Sequence, residues 1–185
     1  TGALVTVGGF KTVNYSNFEG LTVTGEAGAD TFNVTPAAIP MFIDGGLPTS
    51  SDSMTVTAGG DATVSAGLVS TVNGDVSFAG IEELTVNGTG GGGETITIQG
   101  TNAADAINQT GASVTVNAGP TINYSAYDTL ELNGLAGDDV FNVNQASAGV
   151  AITVNGNAPT ASDTLIVNGV VNTADAFTYT PSGTS

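Results

Sequence analysis

Acidic side chains that closely follow glycines are the residues of this sequence best suited to chemistry. Residues 25–34 read GEAGADTFNV and residues 134–143 read GLAGDDVFNV, a pattern that we name the turn motif. Each copy has two glycines, an aspartate two places after the second glycine, and a phenylalanine two places further on. Carboxylate and carbonyl oxygens are the ligands of Ca²⁺, which takes roughly six to eight of them. The turn motif therefore predicts calcium binding, with Asp30 and Asp139 as ligands.

A second repeated pattern adds further acids. Residues 45–56 read GGLPTSSDSMTV and residues 156–167 read GNAPTASDTLIV, which we name the proline motif. The candidate calcium ligands from the two motifs are Asp30, Asp52, Asp138, Asp139 and Asp163. The alternative is that each aspartate only forms an Asx turn, in which its carboxylate accepts hydrogen bonds from nearby backbone amides and binds no metal.

The charge balance of the chain is strongly acidic. It has 17 Asp and Glu residues, a single basic residue (Lys11) and no histidine, and its formal net charge is −16. Such a chain repels nucleic acid and anionic membranes and attracts divalent cations. No apolar run approaches the roughly 18–20 residues that a membrane-spanning helix needs. The sequence therefore predicts no nucleic-acid partner and no insertion into a membrane.

The residue types needed for common enzyme mechanisms are scarce. Without histidine, cysteine or arginine, acid–base chemistry would depend on carboxylate pairs such as Glu82 with Glu83, or Asp138 with Asp139. Adjacent residues on a strand point to opposite faces, so neither pair is expected to act together. The sequence predicts a protein that is not an enzyme, and a β-helical enzyme acting on polysaccharide is the less favoured alternative.

Short apolar alternations run through the whole chain and predict its fold class. Segments such as LTVTG, MTVTAG, TITIQG and VTVNAG alternate at period two, are rich in β-branched residues and end in glycine or asparagine. These are signals of strands and turns, and no segment has a helical period. The sequence predicts an all-β protein.

Two further repeated patterns indicate how the chain is organised. The leucine motif occurs as YSNFEGLTVTG (15–25), FAGIEELTVNG (78–88) and YSAYDTLELNG (124–134). The Asp-Ala motif occurs as DATVSAGLVSTVNGDVSF (61–78) and DAINQTGASVTVNAGPTINY (105–124).

These repeats predict a single repeat-built β domain over residues 1–185. Its imperfect copies cover about 61–104 and 105–174, and a third copy is split between residues 175–185 and 1–60.

The spacing of the acids predicts the architecture. Acids that precede an alternating apolar pair recur at intervals close to 11 or 12 residues, or double that, as at Glu19, Asp30 and Asp52. Two strands per turn would give a coil of roughly 22–24 residues, which is in the range of solenoid repeats. We therefore expect a parallel β-solenoid, with an antiparallel β-sandwich as the alternative.

The two ends of the sequence complete one another. Residues 175–185 begin like the Asp-Ala motif, and residues 1–15 (TGALVTVGGFKTVNY) resemble its second half at 110–124 (TGASVTVNAGPTINY). The expected partner is therefore the chain itself. The copies would continue either as a tandem array within a longer protein or as a head-to-tail homopolymer of separate subunits, since a non-closing interface builds filaments.

The turn motif resembles the glycine- and aspartate-rich nonapeptide of the RTX β-roll family. Gly25, Gly28, Asp30 and Phe32 occupy matching positions, as do the equivalent residues of the second copy, while Glu26 and Leu135 replace the second glycine. The wider Gly/Thr/Asp-rich pattern is similar to repeat arrays of large bacterial surface proteins. These resemblances imply secretion to the cell surface, a structural or adhesive role and bound Ca²⁺.

The functional expectation combines these features. The sequence predicts an acidic extracellular subunit of a filament, surface layer or adhesin stalk that elongates end to end, and a surface polysaccharide is a further candidate partner. An ice-binding β-solenoid is the alternative, because Thr-x-Thr pairs occur in LTVTG, MTVTAG, ETITI and FTYTP.

Overall fold

The computed structural model describes residues 3–5, 13–47, 51–146, 149–157 and 162–169. These residues form β-strands and turns, and no helix occurs among them, which confirms the all-β prediction. Accordingly, the described part of the chain holds no helix of the length and hydropathy that crossing a bilayer requires.

The described residues contain eighteen strands. They are β1 (Ala3–Val5), β2 (Val13–Tyr15), β3 (Leu21–Thr24), β4 (Thr31–Val34), β5 (Met41–Asp44), β6 (Ser53–Thr57), β7 (Ala62–Ser65), β8 (Leu68–Thr71), β9 (Gly74–Ala79), β10 (Glu83–Asn87), β11 (Thr95–Gln99), β12 (Ala106–Gly111), β13 (Ser113–Val116), β14 (Thr121–Ser125), β15 (Thr129–Asn133), β16 (Val140–Ala146), β17 (Ala151–Asn155) and β18 (Thr164–Val167).

From β3 onward the chain alternates between two eight-stranded sheets. The first sheet has the spatial order β17-β15-β11-β7-β8-β9-β5-β3, and the second has the order β18-β16-β12-β13-β14-β10-β6-β4. The chain crosses to the other sheet after each strand, except within β7–β9 of the first sheet and β12–β14 of the second. Neither sheet closes on itself.

Each sheet contains one reversed strand. In the first sheet β8 pairs antiparallel with β7 and β9, and in the second sheet β13 pairs antiparallel with β12 and β14. The other neighbours in both sheets are parallel. The sheets are therefore mixed, where the sequence predicted parallel strands alone, because two three-stranded meanders are inserted.

The meanders correspond to the Asp-Ala motif. Its first copy, 61–78, covers β7 to β9, and its second copy, 105–124, covers β12 to β14. They also change the period of the chain: paired strands are 22 or 24 residues apart where no meander intervenes, as between Thr31 and Ser53. The separation grows to 34 residues where a meander lies between them, as between Ala106 and Val140.

Inward-facing side chains of both sheets form one apolar core. Central strands alternate between buried and partly exposed positions, as in β10 and β15, because successive side chains of a strand point to opposite faces. Leu84, Ile96, Leu130 and Leu132 are completely buried. This core fixes the register of the strands, since a slip by one residue would move every apolar side chain to solvent.

The hairpin of β1 and β2 stands apart from the two large sheets. It forms its own two-stranded antiparallel sheet, in which Leu4 pairs with Asn14 and Val5 pairs with Val13. Adding 109 to these numbers gives Ser113 with Asn123 and Val114 with Ile122, which are the pairs of β13 with β14. The hairpin therefore has the register of the last two strands of a meander.

Candidate functional site

A row of acidic residues lines one edge of the molecule. Each of these residues immediately precedes a strand of the second sheet, at the turn where the chain arrives from the first sheet. We name this row the carboxylate ladder, and its members in spatial order are Asp30, Asp52, Glu82, Asp105, Asp139 and Asp163. The one parallel strand of the second sheet without such an acid is β14, which the chain enters from β13.

The ladder brings like charges close together. Neighbouring strands lie about 4.8 Å apart, so the acids of adjacent strands stack at about this spacing. Two unit charges at that distance repel by about 1 kcal/mol in water and by about 3–4 kcal/mol at an effective dielectric constant of 20. Asp52 and Asp139 are completely buried and Asp105 is 3% exposed, so water screens their charges poorly.

Backbone amides stabilise the ladder carboxylates in a regular relay. The Asp52 carboxylate accepts the N–H of Asp30 at 2.7 Å, and the Glu82 carboxylate accepts the N–H of Asp52 at 2.8 Å. The second half repeats this pattern: the Asp139 carboxylate accepts the N–H of Asp105, and that of Asp163 accepts the N–H of Asp139, each at 2.9 Å. Every acceptor belongs to the next strand in the same direction along the sheet.

A column of glycines makes room for the ladder. The relevant glycines are Gly25, Gly45, Gly100, Gly134 and Gly156, each of which follows a strand of the first sheet. A Cβ atom on Gly25 would lie 2.6 Å from Oδ2 of Asp30 and 2.5 Å from the carbonyl oxygen of Gly45. The same conflict with the following ladder carboxylate occurs at the other four glycines. A side chain at any of them would displace the carboxylate.

The second oxygen of several ladder carboxylates lacks a hydrogen-bond donor. Within the described part of the chain, the buried Oδ2 atoms of Asp30, Asp52 and Asp139 have no partner. The hypothetical Cβ atoms show that each Oδ2 is on the side where a glycine carbonyl of the neighbouring strand also lies. Two acceptors that face the same gap require a proton or a cation between them, because an unpaired buried charge is very costly.

Asp105 satisfies its carboxylate locally. Its Oδ2 accepts the N–H of Thr101 at 2.6 Å and the Thr101 hydroxyl at 3.1 Å, and its Oδ1 accepts the side-chain amide of Asn117. The adjacent meander supplies this amide, because Asn117 lies in the turn after β13. The ladder therefore has one fully bonded position beside positions with an unpartnered oxygen.

Burial shifts the proton affinity of the central ladder acid. Removal from water raises the pKa of the Asp139 carboxyl above its ordinary value, while the hydrogen bond from the Asp105 backbone lowers it. The negative charges of Asp105, Asp163 and Asp138 raise the pKa further. The structure thus favours a neutralised Asp139, by a proton or by a bound cation.

The opposite edge carries a smaller set of acids. Asp61, Glu94 and Asp128 precede β7, β11 and β15, which are neighbours in the first sheet. The Asp61 carboxylate accepts the N–H of Thr95 at 2.8 Å. Hydrogen bonds from the Thr89 hydroxyl and backbone lower the pKa of Glu94. These acids are more open to solvent than the ladder and have conventional turn-capping roles.

The two copies of the turn motif have the same backbone conformation. Glu26 and Leu135, which replace the second glycine of the RTX nonapeptide, have φ angles of 74° and 73°. Gly28 and Gly137 have φ angles of 135° and 132°. The left-handed conformation is one that glycine adopts readily, so these two side chains are held in a turn shape suited to glycine.

The predicted calcium ligands divide into two groups. Asp30, Asp52, Asp139 and Asp163 all belong to the ladder, as neighbouring pairs in two separate halves. Asp138 does not: its side chain is exposed and accepts the hydroxyl of Ser162 at 2.5 Å. Within the described residues no three acidic side chains converge on one point that could hold a metal ion.

Two ladder members, Glu82 and Asp105, were not among the sequence-based candidates. Each immediately precedes an alternating apolar segment, as Asp30 and Asp52 do. That position, rather than the glycine spacing of the turn motif, is the signal that identifies them.

A cavity of about 210 Å³ lies between the two meanders. Val64, Phe78, Val116, Pro120 and Ile122 form much of its lining, and its other lining residues are uncharged. None of the ladder acids lines it. The cavity and the ladder are therefore separate features. Comparison of the chain with protein-family models, with curated proteins and with solved structures gives no match.

Proposed function

We propose that the chain is a structural repeat unit of an extracellular filament, surface layer or adhesin stalk, located at the cell surface. In this proposal the two sheets form a β-solenoid that continues end to end into further copies, either as separate subunits or as a tandem array. Ca²⁺ bound along the carboxylate ladder stabilises it, and the chain has no catalytic role.

The observation that carries this proposal is the condition of the sheet edges. Within the described residues, no strand pairs with the outer sides of β17 and β18 at one end, or of β3 and β4 at the other. All four residues of β18 are exposed, including Leu165 and Val167 at 54% each. Exposed apolar edge strands recruit further strands, and solenoids that remain single units cover such ends with caps.

The path of the chain supports a solenoid over a sandwich. Successive strands cross between the sheets and pair in parallel with the strand one circuit earlier, as β4 does with β6 and β16 with β18. Antiparallel sandwiches instead place most neighbours antiparallel. Winding of this kind buries its apolar face by stacking circuit on circuit, so adding a further copy extends the same core.

The unpartnered carboxylate oxygens support bound cations. The described residues include no lysine, arginine or histidine, because Lys11 lies outside them. The Oδ2 atoms of Asp30, Asp52 and Asp139 would each contribute one ligand, and neighbouring glycine carbonyls would contribute others. Since no three acids converge, water would complete the roughly six to eight oxygens that Ca²⁺ prefers.

The position of the threonine pairs does not favour ice binding. Thr22 and Thr95 belong to β3 and β11, which are separated by four strands in the first sheet, while Thr55 belongs to the second sheet. The FTYTP pair lies outside the described residues. Ice binding needs a regular flat array, and these pairs are not neighbours.

Imaging of the purified 185-residue chain tests the proposal. We expect negative-stain electron microscopy to show rods longer than one unit, and light scattering to show a mass that increases with concentration. A chain of two fused copies should form a rod of twice the unit length if the units normally continue as a tandem array. Single-copy monomers together with a fused pair that folds as two unconnected globules would contradict the proposal.

The calcium component has its own test. Adding Ca²⁺ to the EDTA-treated chain at pH 7.5 should raise its melting temperature, and Asp139→Asn should reduce that rise. Asp138→Asn removes the same charge from an exposed position and should retain it. A melting temperature unaffected by Ca²⁺ would exclude the cation and leave protons as the means of neutralising the ladder.

A further inference from the structure

We propose that β3 of one copy adds in parallel to the outer side of β18 of another copy, in the register that β10 has on β6. This inference rests on the proposed end-to-end growth and specifies the strands that meet. The occupant of the β18 edge is a second copy of this chain. The interface is the continuation of a contact that already exists once inside the molecule.

The internal contact supplies the register. β6 ends the first proline motif and β10 lies in the second leucine motif, and they pair with Met54 opposite Leu84 and Val56 opposite Val86. β18 ends the second proline motif, and β3 lies in the first leucine motif. The equivalent pairs are Thr164 with Gly20, Leu165 with Leu21, Ile166 with Thr22, and Val167 with Val23.

Burial supports the same contact. Met54 and Val56 are 1% and 0% exposed within the β6–β10 pair, whereas their equivalents Leu165 and Val167 are each 54% exposed. Leu21 and Val23 on β3 are only partly buried, while the equivalent side chains of β10 are fully buried. Pairing β3 with β18 would complete the environment of both strands.

The carboxylate ladder would also continue across this junction. Within the molecule the N–H of Asp52 donates to the Glu82 carboxylate at 2.8 Å. Asp163 and Glu19 are the equivalent residues in the proline and leucine motifs. No ladder carboxylate stands beyond Asp163 in the described part of the chain, and Glu19 of the next copy would occupy that place.

The placement of the leucine motifs explains how β3, an edge of the first sheet, can extend the second. The three leucine motifs contribute β3 to the first sheet, β10 to the second and β15 to the first. The two complete meanders likewise alternate, with β7–β9 in the first sheet and β12–β14 in the second. The next leucine motif therefore enters the second sheet, so successive copies exchange their sheets.

The detached β1–β2 hairpin is a second, independent observation. In the complete meander, β12 lies between β13 and β16. The hairpin has the register of β13 with β14, and β4 is the turn-motif equivalent of β16, yet no described strand lies between β1 and β4. The missing strand corresponds to residues 175–180, which begin with Asp-Ala as β12 and its preceding residue do.

Distance indicates that this strand comes from another copy. β18 and β4 are at opposite edges of an eight-stranded sheet, so seven spacings of about 4.8 Å, or about 34 Å, separate them. The seven residues from Asn168 to Asp175 span at most about 25 Å when fully extended. A chain therefore cannot place its own residues 175–180 beside its own β4.

Cysteine cross-linking tests the register, and the chain has no cysteine of its own. Thr22 and Ile166 are equivalent to Thr55 and Thr85, directly opposed positions on the outer face, so Thr22→Cys with Ile166→Cys should form disulfides between copies. Mild oxidation should yield covalent oligomers beyond the dimer that disappear on reduction. Thr24→Cys with Ile166→Cys is the matched control: it shifts the register by two residues and should link poorly.

A two-copy chain, joined from residue 185 of the first copy to residue 1 of the second, covers the tandem arrangement. Ile166→Cys in the first copy with Thr22→Cys in the second should form an internal disulfide. Rods without either disulfide would overturn the inferred interface while leaving end-to-end growth intact. Absence of rods, oligomers and the internal disulfide would overturn both.

A charge variant provides a readout that is independent of cysteine geometry. Leu165→Glu should abolish rod formation by single copies, because it places a carboxylate in the apolar contact. Leu47→Glu introduces the same charge at an exposed position outside the strands and should leave the rods unchanged. Equal rod formation by both variants would contradict the role of β18.

Discussion

The Asp139 carboxylate accepts the backbone N–H of Asp105 at 2.9 Å, and both side chains are almost completely buried. The residue that donates its amide therefore also carries a like charge on the adjacent strand. One backbone hydrogen bond stabilises the ionised carboxylate, while desolvation and neighbouring charges oppose it. The balance between these effects makes the ladder sensitive to pH and to cations.

The stability of the metal-free chain should increase as the pH falls from 8 towards 4. Burial raises the pKa of Asp139, so the folded state binds that proton more tightly than the unfolded state does. The resulting stabilisation is present below the ordinary aspartate pKa and is lost as the pH rises through the raised value. Thermal unfolding in EDTA across this pH range measures the effect.

Asp139→Asn should flatten this pH dependence. The amide keeps an oxygen that can accept the Asp105 N–H and removes the buried charge, so the variant should be about 1–3 kcal/mol more stable than the parent at pH 7.5 in EDTA. Asp138→Asn is the matched control and should keep the parental slope. If both variants respond equally, net charge rather than the buried ladder position determines the pH dependence.

Gly100→Ala should destabilise the fold by about 1–3 kcal/mol, as overpacking does in well-packed sites. Its Cβ would lie 2.6 Å from Oδ2 of Asp105 and 2.9 Å from the carbonyl oxygen of Gly134. Gly20→Ala is the control, because its Cβ would meet only the Pro40 carbonyl oxygen at 3.5 Å. That substitution should stay within about 0.5 kcal/mol of the parent. Urea denaturation compares the two.

Neither of these glycines has a φ angle in the left-handed region, so backbone strain does not distinguish them. Equal denaturation midpoints for the two variants would show that the carboxylate can move aside at little cost.

Tyr127→Phe should leave stability unchanged or raise it by about 1 kcal/mol. The Tyr127 side chain is buried, and its hydroxyl has no hydrogen-bond partner among the described residues. Burial raises the pKa of this phenol, and the charges of Glu94 and Asp61 raise it further. Absorbance titration of the folded chain should therefore show one of the four tyrosines resisting ionisation, and that deficit should vanish in the variant.

Local patterning was sufficient to predict the strands and the inward direction of key side chains. Asp30, Phe32 and Val34 share one strand face by period two, and the structure turns Phe32 and Val34 towards the core. The same rule favours Asp139 over its neighbour, because Asp139 shares a face with the buried Phe141. Asp138 therefore points outward, and the sequence contained the information needed to separate the two.

The meanders were harder to predict. A reversed strand and a parallel strand have the same alternation of apolar residues, so β8 and β13 cannot be recognised from their own patterns. The turn between β8 and β9 does carry a signal: Asn73 and Gly74 form the Asn-Gly pair typical of a two-residue hairpin. Which sheet each meander joins depends on distant partners and has no local signal.

The reversed strands also determine how the molecule would yield under load. A chain pulled from its C-terminal side can release β18, β17, β16 and β15 in turn, since each of them is then the outermost strand of its sheet. The next segment, β14, is held between β10 and β13, so two ladders must part together before more chain is freed. Each meander thus acts as a mechanical stop. Single-molecule stretching should show unravelling that pauses with the force rising as Ser125 is reached.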